Sequence, residues 1–470
     1  MQKTQTPLVP KTIMQASQAL GARSITSVDL THACLAAMNQ SAADLNAMTH
    51  ILAEHAIQTA KRFDDELDKG HCRSPLHGMP IVVKDNIDVA WAPTTIGSAA
   101  CLDRIAANNA QIIQRLESAG AIILAKTNMN EFAAGMCGRN VHFGDVHNPW
   151  GTNRSAGGSS SGTGAAVAAG LCMGGIGTDT GGSVRIPAAW CGLVGLRPTQ
   201  GLLPNAGLFP RAPSLDTAGP MARSVWDTAI LLDALTGYSA EGMEGQSYAA
   251  TLNSGLAGFK LGHDRIFWDR EIAPEVSQAM DSSLPQFENL GASVAPVEVP
   301  ALRSELDHSE IGRNVLLYEF GLEMERFEQS NTDLKARIGP IVQRELKEYT
   351  RVGRDDYERL AAARDPFTTS LRQVFTQVDA LIMPAMPTTA LSLDCDDAAF
   401  MQGRRFMLPF SFAGLPSLVF PIGIGGDGLP IAVQIVGDFY QEAKLLQIAA
   451  AYEAATPLPQ APKVYHCSDG

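Results

Sequence analysis

Residues 174–187, GGIGTDTGGSVRIP, gather five glycines around one serine, Ser183, with no histidine among them. A glycine-rich loop leaves backbone N–H groups free to meet an anion. A serine in such a loop is a candidate nucleophile, provided some base takes its proton. The phosphate-cradle reading lacks its signature. Neither this stretch nor the second glycine-rich stretch, GDVHNPWGTNRSAGGSSSGTG at 144–164, runs into Gly-Lys-Ser/Thr, and no GxGxxG opens a helix behind a strand.

GSSSG at 158–162 formally matches the G-x-S-x-G nucleophile elbow, with Ser160 in the middle. An elbow needs a strand before the serine and a helix after it. NPWGTNRSAG is no strand, so half of that context is missing. A Ser-His-Asp triad would have to draw its histidine from afar, because all ten histidines lie outside residues 148–262. His142 and His147, the nearest, read as polar loop residues. Serine–lysine catalysis is an established variant. No lysine has a serine three residues before it, so the S-x-x-K arrangement is absent. Lys84 stands out instead, because it ends the apolar run IVV and precedes Asp85-Asn86. A lysine cut off from water loses its charge more readily and could serve as a neutral base. A buried Lys84–Asp85 ion pair fits the same spacing, which leaves both readings open.

These side chains need elements to hold them. MPIVVK (79–84) and AIILA (121–125) read as short buried strands, with a helix over 111–117 between them. Residues 12–67 carry helical periodicity, with Ser24 and Ser27 as capping positions. Residues 144–162 read as loop, and TGAAVAAGLCM after them as a small-residue helix able to pack closely on a neighbour. The stretch holding Ser183 reads as a second loop. Residues 240–375 are more charged and mostly helical. VDALIM (378–383), SLVFPI (417–422) and IAVQIV (431–436) read as late strands, and Ala443–Glu453 as a terminal helix. Strands alternating with helices predict an α/β layered architecture.

Composition narrows the function classes. The 470-residue chain is 45% hydrophobic, which is ample for a large core. A net charge of −13 with no Lys/Arg cluster does not suit a phosphate-backbone binder. The opening MQKTQTPLVPKTIMQ has no apolar signal-peptide core. The longest weakly polar run, 162–177, falls short of the roughly 18 apolar residues of a spanning helix. The expectation is a soluble, cytoplasmic protein with no nucleic-acid or membrane partner. Eight cysteines (34, 72, 101, 137, 172, 191, 395 and 467) form no CxxC pair and read as buried thiols. Without HExxH or paired CxxC, no zinc site is expected.

Taken together, these segments resemble the amidase signature family. The specific part is GGSSSGTGAAVAAGLCMGGIGTDTGGSVRIPAAWCGLVGLRPT, residues 157–199. The likeness extends through GMPIVVKDNIDV (78–89), AKTNMNEFAAG (125–135), SLDTAGPMARSV (214–225) and GLPIAVQIVGDFYQEAKLL (428–446), and is weakest over 240–375. It implies one α/β/α domain over 1–470 with a large mixed central sheet. Its parts would be N-terminal helices to about 70, a signature core over 75–230, a variable helical region over 240–375, and C-terminal strands and helix over 376–460.

The resemblance also implies roles. Ser183 falls on the acyl-enzyme nucleophile, Ser159 on a bridging serine preceded by a cis peptide, and Lys84 on the general base. Ser160 falls on a supporting hydrogen-bonding position. A relay from Ser183 through Ser159 to neutral Lys84 needs no histidine. The N–H groups of Thr180, Gly181, Gly182 and Ser183 could converge on the developing oxyanion. Asp179 reads as a buried brace for the loop. Met136, Cys137, Gly138, Arg185, Leu208 and Phe209 are candidates for substrate binding, with Arg185 equally readable as a brace. Cys191 reads as core. The implied activity is hydrolysis of C–N bonds in primary or aryl amides or in carbamates (a urethanase), with ester hydrolysis as a side reaction. It needs no metal or organic cofactor. The partner is then a small-molecule amide or carbamate, met by a monomer or homodimer. Two rival readings are the amidase subunit of a glutamine-dependent tRNA amidotransferase and a non-enzymatic binding protein on the same fold.

Overall fold

A computed structural model describes residues 10–237, 247–252, 255–269, 271–303, 308–331 and 333–456. The first nine residues, 238–246 at the start of the expected variable region, and Cys467 lie outside the described residues. The strands, in chain order, are β1 Met48–Ile51, β2 Met79–Lys84, β3 Ala121–Thr127, β4 His147–Asn148, β5 Gly151–Ser155, β6 Gly174–Asp179, β7 Val194–Arg197, β8 Thr217–Ala222, β9 Lys260–His263, β10 Ser293–Pro296, β11 Ala380–Pro384, β12 Ser417–Ile424 and β13 Pro430–Val436. Eleven of them form one mixed sheet in the order β1-β3-β2-β6-β8-β7-β12-β13-β11-β9-β10. The expected layered α/β architecture is the one observed.

The site rests on the parallel trio β3-β2-β6. MPIVVK and AIILAKT are buried throughout and pair from Met79↔Ala121 to Lys84↔Thr127, with a one-residue register shift after Ile81. Near-continuous apolar runs of this kind belong to strands covered on both faces. Because β2 and β6 run parallel, Lys84 and the Thr178–Asp179 step leave the sheet at the same edge. In open α/β sheets, that carboxyl-end edge is where ligands bind.

The largest departure from expectation lies at 174–179. GGIGTD, read as loop, is a fully buried central strand. Its glycines answer to packing rather than to a turn. A Cβ at Gly175 would meet Val167 Cγ2 at 3.0 Å, and one at Gly177 would meet Ser160 Oγ at 2.7 Å. The helix Ser161–Ala168 therefore lies directly on β6, and its sequence SGTGAAVA supplies the matching small face.

Other corrections are local. Within 12–67, two helices, Ile13–Gly21 and Ser27–Leu45, are followed by β1 and a third helix, Ala53–Asp68. Their caps are Thr12 and Thr26 rather than Ser24 and Ser27, and Thr26 closes a capping box with Asp29. Residues 147–155 carry the small β4–β5 hairpin where loop was expected. The 240–375 region is mostly helical, as expected, but also carries the short parallel strands β9 and β10 at one end of the sheet. No described helix is long and apolar enough to cross a membrane.

Candidate active site

Lys84 is fully buried at the end of β2. Its Nζ lies 2.8 Å from Ser159 Oγ and 2.8 Å from Thr178 Oγ1. Asp85, the alternative partner, turns away to pair with buried Lys126 at 3.0 Å, so the Lys84–Asp85 ion pair does not form. Burial lowers the Lys84 pKa to about 7 against the opposing pull of Asp179 and Asp216, and nearby Arg211 lowers it further. A neutral amine is thus within easy reach at ordinary pH. Thr178 Oγ1 also accepts from Asn86 Nδ2 at 3.1 Å, which anchors the far side of the amine.

Ser159 and Ser160 enter the site just ahead of the helix Ser161–Ala168. The Gly158–Ser159 peptide is cis. Ser160 Oγ donates to Thr178 O at 3.2 Å and accepts from Thr178 N at 3.3 Å, so it clips the loop to β6 as a supporting residue. Ser160 N donates to Ser183 O at 3.2 Å, joining the two serine loops. Asn130 walls the loop from outside, since its N–H donates to Ser159 O at 3.4 Å.

Ser183 sits between β6 and the helix Arg185–Cys191, with its Oγ in no hydrogen bond among the described residues. Asp179 braces this loop. Its carboxylate accepts from Gly182 N at 2.8 Å, Val184 N at 3.2 Å, Arg185 Nε at 3.0 Å and Arg197 Nη1 at 3.2 Å. Burial pushes its pKa up, but Arg185 and Arg197 outweigh that and hold it well below the usual carboxylate range. Gly182 has a φ of +119°, open essentially to glycine alone. The bond to Asp179 corrects one expectation: the Gly182 N–H is committed to the loop's own brace. The N–H groups of Thr180, Gly181 and Ser183 have no acceptor among the described residues and remain the candidates for an oxyanion.

Arg185 also departs from a substrate-binding role. It is fully buried, and its five N–H donors meet Asp179 Oδ2 (3.0 Å), Asp179 Oδ1 (3.1 Å), Met407 O (3.2 Å), Gln434 Oε1 (2.8 Å) and Ser411 Oγ (2.6 Å). No donor is left for a ligand. His142 pairs with Glu131 and His147 with Thr152 O, so neither turns to the serines. Cys191 is core, with its thiol pKa pushed up by burial.

The remaining expected residues divide. Met136 and Cys137 line a cavity, and their backbone abuts Gly158. Gly138, at φ +77°, donates its N–H to Asn130 Oδ1 at 3.1 Å and shapes that wall from behind. Leu208 bridges Ile87, and Phe209 N donates to Asn86 O at 2.8 Å, placing this pair next to the lysine strand. The Phe209 ring packs against those of Phe132 and Phe327. Sequence reasoning missed Thr178, Asn130 and Asp216. Asp216 Oδ1 accepts from Thr180 Oγ1 at 2.6 Å, and burial raises its pKa to about 6.

A family model described as Amidase matches residues 29–446. A glutamyl-tRNA(Gln) amidotransferase subunit of Cupriavidus necator is 34% identical, over 94% of this chain and 96% of its own. The corresponding protein of Chloroflexus aurantiacus is 35% identical over 95% and 96%. The solved peptide amidase from Stenotrophomonas maltophilia superposes with a TM-score of 0.85 at 30% identity, over 97% of this chain and 99% of that one.

Proposed function

The chain belongs to the amidase signature family of enzymes acting on C–N bonds, and from that premise we propose that it hydrolyses small amides through an acyl-enzyme on Ser183. The observation that carries this reading is Lys84, buried and held 2.8 Å from Ser159 Oγ with its pKa brought to about 7. Neutral Lys84 takes the Ser159 proton as Ser159 takes that of Ser183. Ser183 Oγ bonds to the scissile carbonyl carbon. The charge that develops on the carbonyl oxygen meets the uncommitted N–H groups of Thr180, Gly181 and Ser183. Collapse breaks the C–N bond, and the amine leaves with the proton returned from Lys84 through Ser159. Water then attacks the acyl-enzyme along the same relay, releases the carboxylic acid and regenerates Ser183. A carbamate would follow the same steps and give an amine, carbon dioxide and the alcohol. The Ser159–Ser183 link closes as substrate binds, since catalytic hydrogen bonds are often loose in unliganded sites.

The test is labelling of Ser183 by a fluorophosphonate, followed by turnover of a panel of amides, anilides, carbamates and esters. Ser183→Ala should neither label nor turn over while keeping its far-UV circular dichroism. Substantial activity in that variant sinks the assignment. A second reading, the amidase component of a glutamine-dependent amidotransferase, is favoured by the names and coverage of the curated relatives. Hydrolysis of a simple aryl amide by the purified chain, with no release of ammonia from glutamine, excludes it.

A further inference from the structure

A cavity of about 190 Å³ is lined by Met136, Cys137, Glu345 and Arg404, among others. Two contacts fix its place. A Cβ on Gly158 would touch Met136 C at 3.0 Å and Cys137 N at 3.1 Å, so the cavity wall backs onto the peptide before Ser159. On the other side, the helix Arg404–Ala413 presses Met407 and Leu408 onto the Ser183 loop. A Cβ on Gly182 would meet Met407 Cβ at 2.8 Å, and one on Gly181 would meet Leu408 Cδ1 at 3.1 Å. Arg404 stands three and four residues before them, on the same helix face, and lines the cavity.

The charges around this cavity do not balance. Arg313 pairs with Glu348, Arg344 with Asp397 at 2.6 Å, and buried Arg211 with Glu345. Each acid of the lining is thereby taken. Arg404 is left with no hydrogen bond or ion pair among the described residues. Burial draws its pKa down to about 10, with the committed Glu345 opposing. Arg211 lies outside the lining and meets the cavity only through its partner Glu345. Its Nη1 is buried with no partner, while its guanidinium lies 3.7 Å from the centroid of the Phe320 ring. Arg211 also reaches towards the chemistry, since its charge is felt by Lys84. The part-buried Arg404 guanidinium keeps its donors free for a ligand in the cavity, and its planar fork fits a carboxylate.

Resting on the acyl-enzyme reading above, we propose that this pocket selects amides that carry a carboxylate a few bonds from the scissile carbonyl, held by Arg404. The substrate class is then the half-amides of short dicarboxylic acids and their N-substituted relatives. The site uses the cation to reject neutral isosteres. That matters on a chain of net charge −13, whose general field repels anions.

The test uses matched pairs that differ only in a carboxylate for a terminal methyl: succinamate against butanamide, glutaramate against pentanamide, and their anilides. The readout is kcat/KM or, where turnover is slow, protection of Ser183 from fluorophosphonate labelling. In the wild-type protein the carboxylate member should win by at least about tenfold at one chain length, as a charge-assisted contact implies. Arg404→Gln should bring that ratio close to one, and Arg404→Lys should keep part of it. A wild-type ratio at or below one for every pair overturns the proposal, as does a folded Arg404→Gln that keeps the full preference. If Arg404→Gln does not fold, Arg404→Lys decides, and an undiminished ratio there counts against the planar fork. Failure of the wild-type protein to label at Ser183 strikes the acyl-enzyme reading instead.

Discussion

The acid limb of the pH–rate profile interrogates the base directly. Burial brings Lys84 to about 7, against the pull of Asp179 and Asp216. The working form is the neutral amine, so activity on an uncharged anilide rises with pH. It should stand at about one-tenth of its plateau at pH 6 and about nine-tenths at pH 8. A second titration bends this limb. Burial raises Asp216 to about 6. As pH falls through that value the carboxylate becomes neutral and stops favouring the Lys84 ammonium. The lysine pKa then drifts down, and the rate falls by less than about tenfold between pH 6 and 5. Asp216→Asn removes the coupling and should give a midpoint below that of the wild type with a full one-proton slope. The local geometry accepts this change. Asp216 Oδ2 takes the N–H groups of Arg211 (2.8 Å) and Ala212 (3.0 Å), whereas Oδ1 meets only the Thr180 hydroxyl at 2.6 Å, which can accept from an amide NH₂. The assay is kcat/KM for the anilide at each pH, with fluorophosphonate labelling of Ser183 in parallel and circular dichroism as the check on folding. A flat profile from pH 5 to 9 refutes the base assignment. A midpoint that moves upward in Asp216→Asn refutes the electrostatic coupling.

Two further outcomes test the frame around the serines. Arg185→Leu should cost about 3–5 kcal/mol in urea unfolding, because it leaves the buried Asp179 carboxylate with Arg197 as its one remaining cation and strips Met407 O, Gln434 and Ser411 of their donor; a loss under about 1 kcal/mol would mean that the loop is braced otherwise. Gly182→Ala forces a side chain onto a φ of +119° and into Met407, so kcat/KM should fall by about 10²-fold or more as the oxyanion amides are displaced, and near-normal turnover would show that those amides do not serve the reaction.

Some of this site was legible because it is written locally. An apolar run that ends on a lysine says that the amine is buried, whatever the fold. Its partner is not local: Asp85 adjoins it in sequence, but only the fold sends Asp85 to Lys126 and brings Ser159 and Thr178 to the amine. The stretch at 174–179 was misread for a physical reason. Glycine usually marks a turn, but here it makes room for the helix Ser161–Ala168, and no local pattern distinguishes the two causes. With β6 taken as loop, Thr178 had no place in the site. Strands β9 and β10 have four residues each and no sustained alternation, so they escape notice within a helical region.

The arginines show where local reading stops. Arg185 and Arg211 are buried and Arg404 is part-buried, and nothing in their flanking sequence ranks them. Their acceptors do. Arg185 meets one for each of its five N–H groups, all of them from parts of the chain far apart in sequence or from the carboxylate that braces the nucleophile loop. Such an arginine is part of the scaffold, and its charge is already neutralised by Asp179. Arg211 keeps one arm open, and Arg404 keeps its whole fork open, where every neighbouring acid is already committed. Burial alone would have marked Arg185 as the most conspicuous candidate for binding. Counting donors against acceptors reverses that order and moves recognition from the nucleophile loop to the cavity wall, which is why the matched carboxylate and methyl substrates discriminate where a general amide panel would not.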